Sequence, residues 1–112
     1  MVGARNASAA AIKLARDFSH ALAERGFAVV SGLARGIDGA AHDGALTGCT
    51  PTVAVVGTGL DRVYPSRHRQ LAHRIVERGA IVSEFAPGTL ALAHHFPLRN
   101  RIIAGLTRGT LV

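Results

Sequence analysis

The sequence contains a single cysteine, Cys49, so the chain can form neither an intrachain disulfide nor a metal site with two cysteine ligands. Such cysteine usage is typical of proteins in a reducing cytosol. Residues 1–8 lack the basic and apolar regions of a signal peptide. No apolar run approaches the ~18 residues of a membrane span. We therefore expect a cytoplasmic location.

Aromatic residues are also scarce, with no tryptophan, one tyrosine and four phenylalanines. The hydrophobic fraction of 48% is therefore almost entirely aliphatic. This composition favours thin helices packed closely on a sheet over an aromatic-rich β-sandwich. A length of 112 residues predicts one domain, residues 1–112, with no separate catalytic or lid domain.

Acidic residues number only seven against thirteen lysines and arginines, which gives a formal net charge of +6. On a small surface this excess produces a positive potential that attracts polyanions. The same charge also fits a generic basic protein without such a partner. Whether the protein binds a polyanion therefore has to be judged from the positions of its basic residues.

Helical and strand patterns alternate along the chain. We predict helices at Ala9–Arg25 with Ser8 as the N-cap, at Gly36–Leu46, from the N-cap Ser66 to a stop at Gly79, and at Leu98–Leu106. We predict buried strands at Phe27–Ser31, Val53–Val56 and Ala80–Ser83, and loops at Gly57–Pro65 and Glu84–Pro97.

This alternation predicts an α/β fold with a doubly wound, mostly parallel sheet and right-handed crossovers. Met1–Gly3 and Thr110–Val112 resemble strands that have been cut short. We therefore expect the sheet to be incomplete at both ends.

Glycine and arginine recur in the loops that follow the predicted strands. In an open parallel sheet these loops share the carboxyl edge, where ligands bind. Glycine lets the backbone approach an anion, a helix N-terminus points N–H groups at it, and arginine adds a bidentate fork. A single glycine after a strand also serves a tight turn. Several such turns on one edge favour an anion site, and its candidates are Gly3, Arg5, Gly32, Arg35 and Gly36.

The sequence lacks the common nucleotide-binding motifs. Gly57-Thr58-Gly59 begins a G-x-G-x-x-G pattern, but Arg62 replaces the third glycine. Ser31 stands where an acidic residue for a ribose is expected, and no P-loop pattern is present. A dinucleotide site and a P-loop nucleotidase are therefore excluded.

Three carboxylates near strand ends, Asp38, Asp61 and Glu84, are candidate general acids or bases. No nucleophile motif accompanies them, which favours roles in capping helices or neutralising arginines, such as a pair between Arg35 and Asp38. We predict no catalytic residue, metal or cofactor.

Five segments occur in a fixed order: GARNAS, VVSGLARGIDGAAHDGAL, VAVVGTGLDRVYP, GAIVSEFAPG and HHFPLRNRIIAGLTRG. Across essentially the whole chain they resemble the DNA-processing protein A family (DprA, also called Smf). The resemblance implies a Rossmann-like, three-layer α/β/α domain that is not an enzyme. It also implies sequence-nonspecific binding of single-stranded DNA, loading of the RecA recombinase during natural transformation, and a homodimer in the full-length protein.

The resemblance also assigns DNA contacts to particular positions. Arg5 matches the arginine of the family's G-S-R turn, in which Ala4 replaces the serine and removes a hydroxyl. The basic position after Tyr-Pro falls on Arg67 or Arg69. The F-P-x-R-N-R segment adds Phe96, Arg99, Asn100 and Arg101. The family's domain continues beyond the last residue of this chain, so we expect a truncated form.

Two alternatives remain open at this point. One is a nucleoside-monophosphate phosphoribohydrolase on a related sheet, although Ala86–Thr89 lacks the second glycine and the glutamate of its P-G-G-x-G-T-x-x-E motif. The other is an interaction module that only docks RecA.

Overall fold

A parallel three-stranded sheet with helices on both faces forms the fold, in a computed structural model that describes residues 1–112. The strands, in the spatial order β1-β2-β3, are β1 (Val29–Ser31), β2 (Thr52–Val55) and β3 (Ala80–Val82). The helices are α1 (Ala9–Glu24), α2 (Ile37–Ala45), α3 (Arg69–Arg78) and α4 (His95–Leu106). A short 3₁₀ turn, Ser66–His68, leads into α3.

Local signals explain where α1 begins and ends. The Ser8 hydroxyl oxygen accepts a hydrogen bond from the Ala11 N–H at 3.1 Å, as predicted for an N-cap. Gly26, with φ +89°, lets the chain leave the helix in the left-handed region. None of the four helices combines the length and apolarity needed to cross a bilayer.

The strand register separates the two faces of the sheet. Val29 pairs with Thr52 and Ser31 pairs with Ala54, so these side chains share one face. That face packs under α2 and α3, in a core of Leu33, Leu46, Ala54, Val56, Ala72 and Ile75. On the opposite face Val30 and Val55 pack against Ile103 of α4. Helices therefore cover both faces, which confirms the predicted α/β architecture of three layers.

The structure corrects three local predictions. Helix α4 begins at His95 rather than at Leu98, because Pro97 lies in its first turn, where no backbone N–H is needed. Ser66 is not an N-cap, since it lies inside the 3₁₀ turn and its side chain makes no capping bond. Met1–Gly3 and Thr110–Val112 form no strands.

The two chain ends instead lie against each other and against β1. The Val2 N–H donates to the Leu111 carbonyl oxygen at 3.1 Å. The amino group of Met1 donates to the Val30 carbonyl oxygen at 2.7 Å. These single bonds hold the ends beside the sheet without making a ladder.

Candidate nucleic-acid interface

The glycine-rich turn between β1 and α2 encloses a carboxylate of its own chain. The Gly32 N–H donates to Asp38 Oδ2 at 3.1 Å, and the Ala34 N–H also bonds to Asp38. Asp38 is 3% exposed, and burial raises the pKa of its carboxyl although Arg99 and these hydrogen bonds oppose the rise. These two amides therefore bind an anion that belongs to the same chain. The turn therefore acts as a rigid support that carries Arg35 at the surface.

A second set of hydrogen bonds ties the same turn to the sheet. Leu33, at φ +59°, donates its N–H to His42 Nε2 at 3.3 Å. His42 Nδ1 donates to Thr52 Oγ1 at 2.9 Å, because the Thr52 hydroxyl itself donates to the Val29 carbonyl oxygen at 2.7 Å. Nδ1 therefore carries a proton and Nε2 does not, so the imidazole of His42 is neutral. Burial lowers the pKa of His42 to about 3, in agreement with that assignment.

Arg99 lies beneath the carboxyl edge of the sheet rather than on it. Its side chain is 3% exposed, and Nη1 donates to the carbonyl oxygens of Gly32 at 2.6 Å and Val55 at 2.7 Å. A Cβ at Gly32 would lie 2.5 Å from Arg99 Cζ, so only glycine leaves room for the guanidinium. Burial lowers the pKa of Arg99, and Asp38 opposes that shift. This placement favours a supporting role for Gly32 and Arg99, and their direct contact with a ligand stays a prediction.

Arg5, Phe96 and Tyr64 meet at the carboxyl edge and form what we call the Arg5–Phe96–Tyr64 cluster. Arg5 Cζ lies 4.5 Å from the centroid of the Phe96 ring, within range of a cation–π contact. The Tyr64 ring stacks on Phe96 at 5.7 Å with an interplanar angle of 29°. Arg5 is exposed and Tyr64 is 48% exposed. The structure thus brings the predicted residues Arg5 and Phe96 together and adds a second aromatic ring.

The turn that carries Arg5 is docked on the start of α2. The Ile37 N–H donates to the Ala4 carbonyl oxygen at 3.2 Å. Gly36 has φ +77°, and the carbonyl oxygens of Ala4 and Arg5 occupy the place of a Cβ. A Cβ at Gly3 would lie 2.6 Å from the Ile37 side chain. Gly3 and Gly36 therefore position Arg5 through close packing.

Two more predicted residues lie on α4 beside this cluster. The Asn100 side-chain oxygen accepts a hydrogen bond from Arg99 Nε at 3.0 Å. Arg101 is 61% exposed and forms an ion pair with Glu84. Both residues are exposed, and the second one already has a charge partner.

The carboxylates named as candidate acids or bases make structural contacts. Asp61 accepts a hydrogen bond from the Gly88 N–H at 2.7 Å, which lowers the pKa of its carboxyl. Glu84 pairs with Arg101, as described above. Asp38 holds the turn after β1, so the predicted pair between Arg35 and Asp38 is replaced by backbone donors.

A polar groove of about 360 Å³ lies between α1, α2 and α3, and we call it the Arg16–Arg74 groove. Arg67, Gly36 and Asp43 also line it, whereas Arg69 does not. Which of the two arginines serves the basic position after Tyr-Pro stays a prediction. The sequence did not identify Arg16 and Arg74 as site residues, because a helical pattern alone does not show which polar faces meet.

The whole chain, residues 1–112, matches the family described as DNA recombination-mediator protein A. Protein Smf of Escherichia coli strain K12 is 48% identical over 113 residues, which cover 100% of this chain and 30% of that protein. DNA processing protein DprA of Streptococcus pneumoniae is 46% identical over 112 residues, which cover 100% of this chain and 39% of that protein. The chain thus spans about a third of the length of these curated relatives.

Two solved structures share this fold. DNA processing protein A from Streptococcus pneumoniae matches with a TM-score of 0.85 and 44% identity, over 96% of this chain and 38% of that one. DNA processing protein A from Helicobacter pylori, studied for its single-stranded DNA binding mode, matches with a TM-score of 0.86 and 27% identity. The second match covers 95% of this chain and 48% of that one, and both support a Rossmann-like domain. The chain therefore belongs to the DNA recombination-mediator protein A family, also known as DprA or Smf.

Proposed function

We propose that this chain binds single-stranded DNA at the carboxyl edge of its sheet, without sequence preference and without catalysing a reaction. The Arg5–Phe96–Tyr64 cluster carries the proposal. An exposed guanidinium there can bind a phosphate while an exposed ring stacks on a neighbouring base. The binding mode studied in the Helicobacter pylori relative supports the same ligand class.

Charge around the cluster explains why phosphates dominate the binding. Arg35 and Arg67 are exposed and lie near the turn that carries Arg5, and neither forms an ion pair within the chain. Contacts to phosphate carry no sequence information, and stacking tolerates any base. We therefore expect weak sequence preference and a steep loss of affinity with salt.

The exposed ring of Tyr64 favours a single strand over a duplex. Tyr64 can stack only on a base whose face is free, and in a duplex both faces of each base are already stacked. Phe96, which is half-buried between Arg5, Arg99 and Tyr64, holds the cluster together rather than stacking on a base.

The curated relatives are about three times as long as this chain. For a full-length protein of this kind we propose a role in DNA uptake during natural transformation and in loading the RecA recombinase. A homodimer and a cytoplasmic location belong to the same proposal. These rest on the family, since the 112 residues cover about a third of its curated members.

Titration of a labelled oligothymidylate at several salt concentrations tests DNA binding by this chain. Arg5→Ala and Arg35→Ala should each cost at least ~1 kcal/mol of binding free energy, because each removes a charge-assisted contact. Arg25→Ala is the matched control, since it removes an exposed arginine at the end of α1, which precedes β1 and lies at the opposite edge. Equal affinities for the parent and for both edge variants would refute the site.

The phosphoribohydrolase alternative is not favoured, because the whole chain matches the DNA recombination-mediator protein A family and Ala86–Thr89 lacks the second glycine and the glutamate of the hydrolase motif. The same preparation, incubated with a nucleoside monophosphate, provides the check. Release of free base that disappears in Glu84→Gln would overturn the assignment of a non-enzymatic function.

A further inference from the structure

We propose that the Arg16–Arg74 groove is a second phosphate-binding segment, which continues the path of a DNA strand beyond the Arg5–Phe96–Tyr64 cluster. This inference rests on the proposed function, because it concerns the same ligand. It assigns a role to side chains that neither the sequence patterns nor the edge of the sheet had indicated.

One carboxylate holds two arginines on opposite walls of the groove. Asp43 Oδ2 accepts a hydrogen bond from Arg16 Nε at 3.2 Å, and Asp43 Oδ1 accepts one from Arg74 Nη1 at 3.0 Å. The arginine side chains are 47% and 50% exposed. Each guanidinium uses a single N–H in this way, so its remaining donors are free to bind an anion. Asp43 therefore fixes the orientation of both guanidinium groups.

The groove carries an excess of positive charge. Its lining includes three arginines, Arg16, Arg67 and Arg74, and Asp43 is the only carboxylate among the lining residues. Three positive charges against one negative charge leave an excess of two, which favours a polyanion over a neutral ligand.

The groove adjoins the turn that carries Arg5. Gly36 lines the groove and also packs against the backbone carbonyl oxygen of Arg5. His68, another lining residue, bonds through Nδ1 to the Leu33 carbonyl oxygen at 2.9 Å in the turn after β1. A phosphodiester chain that leaves Arg5 can therefore pass over Gly36 and enter the groove beside Arg67.

The lining favours a nucleic-acid backbone over an acidic peptide. Only three apolar residues, Ile12, Ala40 and Leu71, line the groove, and no phenylalanine, tyrosine or tryptophan does. A peptide gains much of its affinity from burying apolar side chains, which this surface does not accommodate. A DNA strand would need only its phosphates bound, with its bases in solvent.

Oligothymidylates of two lengths, about 5 and about 15 nucleotides, separate the groove from the cluster. The double variant Arg16→Gln/Arg74→Gln should bind the longer oligonucleotide about thirtyfold more weakly than the parent and the shorter one equally well. Its slope of log affinity against log salt should fall in magnitude by about 1.4 for the longer strand, since two phosphate contacts are lost.

The matched control is Lys13→Gln/Arg25→Gln. It also removes two exposed positive charges, and both lie on or at the end of α1 outside the groove. We expect this control to resemble the parent at both lengths.

Three outcomes would overturn the inference. If the parent binds neither oligonucleotide, the proposed function fails and the inference fails with it. If Arg5→Ala weakens both lengths while the groove variant matches the control, only the groove assignment fails. If a polyglutamate peptide binds the parent and loses affinity in the groove variant, while the longer oligonucleotide does not, the groove serves an acidic protein segment instead.

Discussion

Replacing His42 with glutamine should reduce the loss of stability that this protein suffers in mild acid. In the folded chain burial lowers the pKa of His42 from 6.5 to about 3. Between these two pH values the unfolded chain binds a proton that the folded chain does not. The free energy of unfolding therefore falls as the pH drops from 6.5 towards 3, and His42 contributes its full stability only above that range.

The size of the effect follows from the two pKa values. Each unit of difference corresponds to about 1.4 kcal/mol, so the contribution of His42 falls by about 2 kcal/mol between pH 7.5 and pH 5. The raised pKa of Asp38 acts in the opposite direction. Asp38 is present in both proteins, so its effect cancels when the variant is compared with the parent.

Urea unfolding followed by far-ultraviolet circular dichroism measures this difference, since the chain has no tryptophan. His42→Gln should cost about 1 to 3 kcal/mol at neutral pH, because the Leu33 N–H and Thr52 lose a buried partner. Between about pH 7.5 and about pH 5 the free energy of unfolding of His42→Gln should fall by about 2 kcal/mol less than that of the parent. His73→Gln, at an exposed position of α3, is the control. An equal pH-dependent loss in the parent and in His42→Gln would refute the reasoning.

Two further substitutions test the support beneath the proposed interface. Gly36→Ala should lower the free energy of unfolding by at least about 2 kcal/mol, because both a positive φ and neighbouring carbonyl oxygens oppose a Cβ. Gly26→Ala shares the positive φ but faces open space, so it should cost only about 1 kcal/mol, and equal losses would contradict the packing argument. Arg99→Met should cost about 3 kcal/mol in urea unfolding, since it leaves the nearby buried carboxylate without its opposite charge. If Arg99→Met were as stable as the parent, the supporting role assigned to Arg99 would be wrong.

The fold was largely predictable because its signals are local. Apolar spacing, the Ser8 cap and the Gly26 stop define α1 in the sequence and in the structure alike. The meeting of Arg5 and Phe96 agrees with the prediction that both lie at the carboxyl edge of one parallel sheet. The elements that carry them differ from the prediction, since Arg5 follows no strand and Phe96 lies in the first turn of α4.

The role of the turn after β1 was not predictable from its residues. Glycines and an arginine before a helix suit an external anion as well as an internal one. Only the packed structure shows that the anion is the carboxylate of Asp38 and that Arg99 lies buried beside Gly32. Likewise, Arg16 and Arg74 share Asp43 only because of the way in which α1, α2 and α3 are oriented and packed, which the sequence does not show.

The Arg5–Phe96–Tyr64 cluster draws its cation from the beginning of the chain and a ring from near its end. The segment that carries Arg5 is held by the contacts of its turn with Gly36 and Ile37 and by the backbone bonds of Met1 and Val2. Local fraying of that segment would therefore dismantle the cluster while the sheet stays intact. The apparent affinity for a ligand then equals the intrinsic affinity multiplied by the fraction of molecules in which this segment is docked.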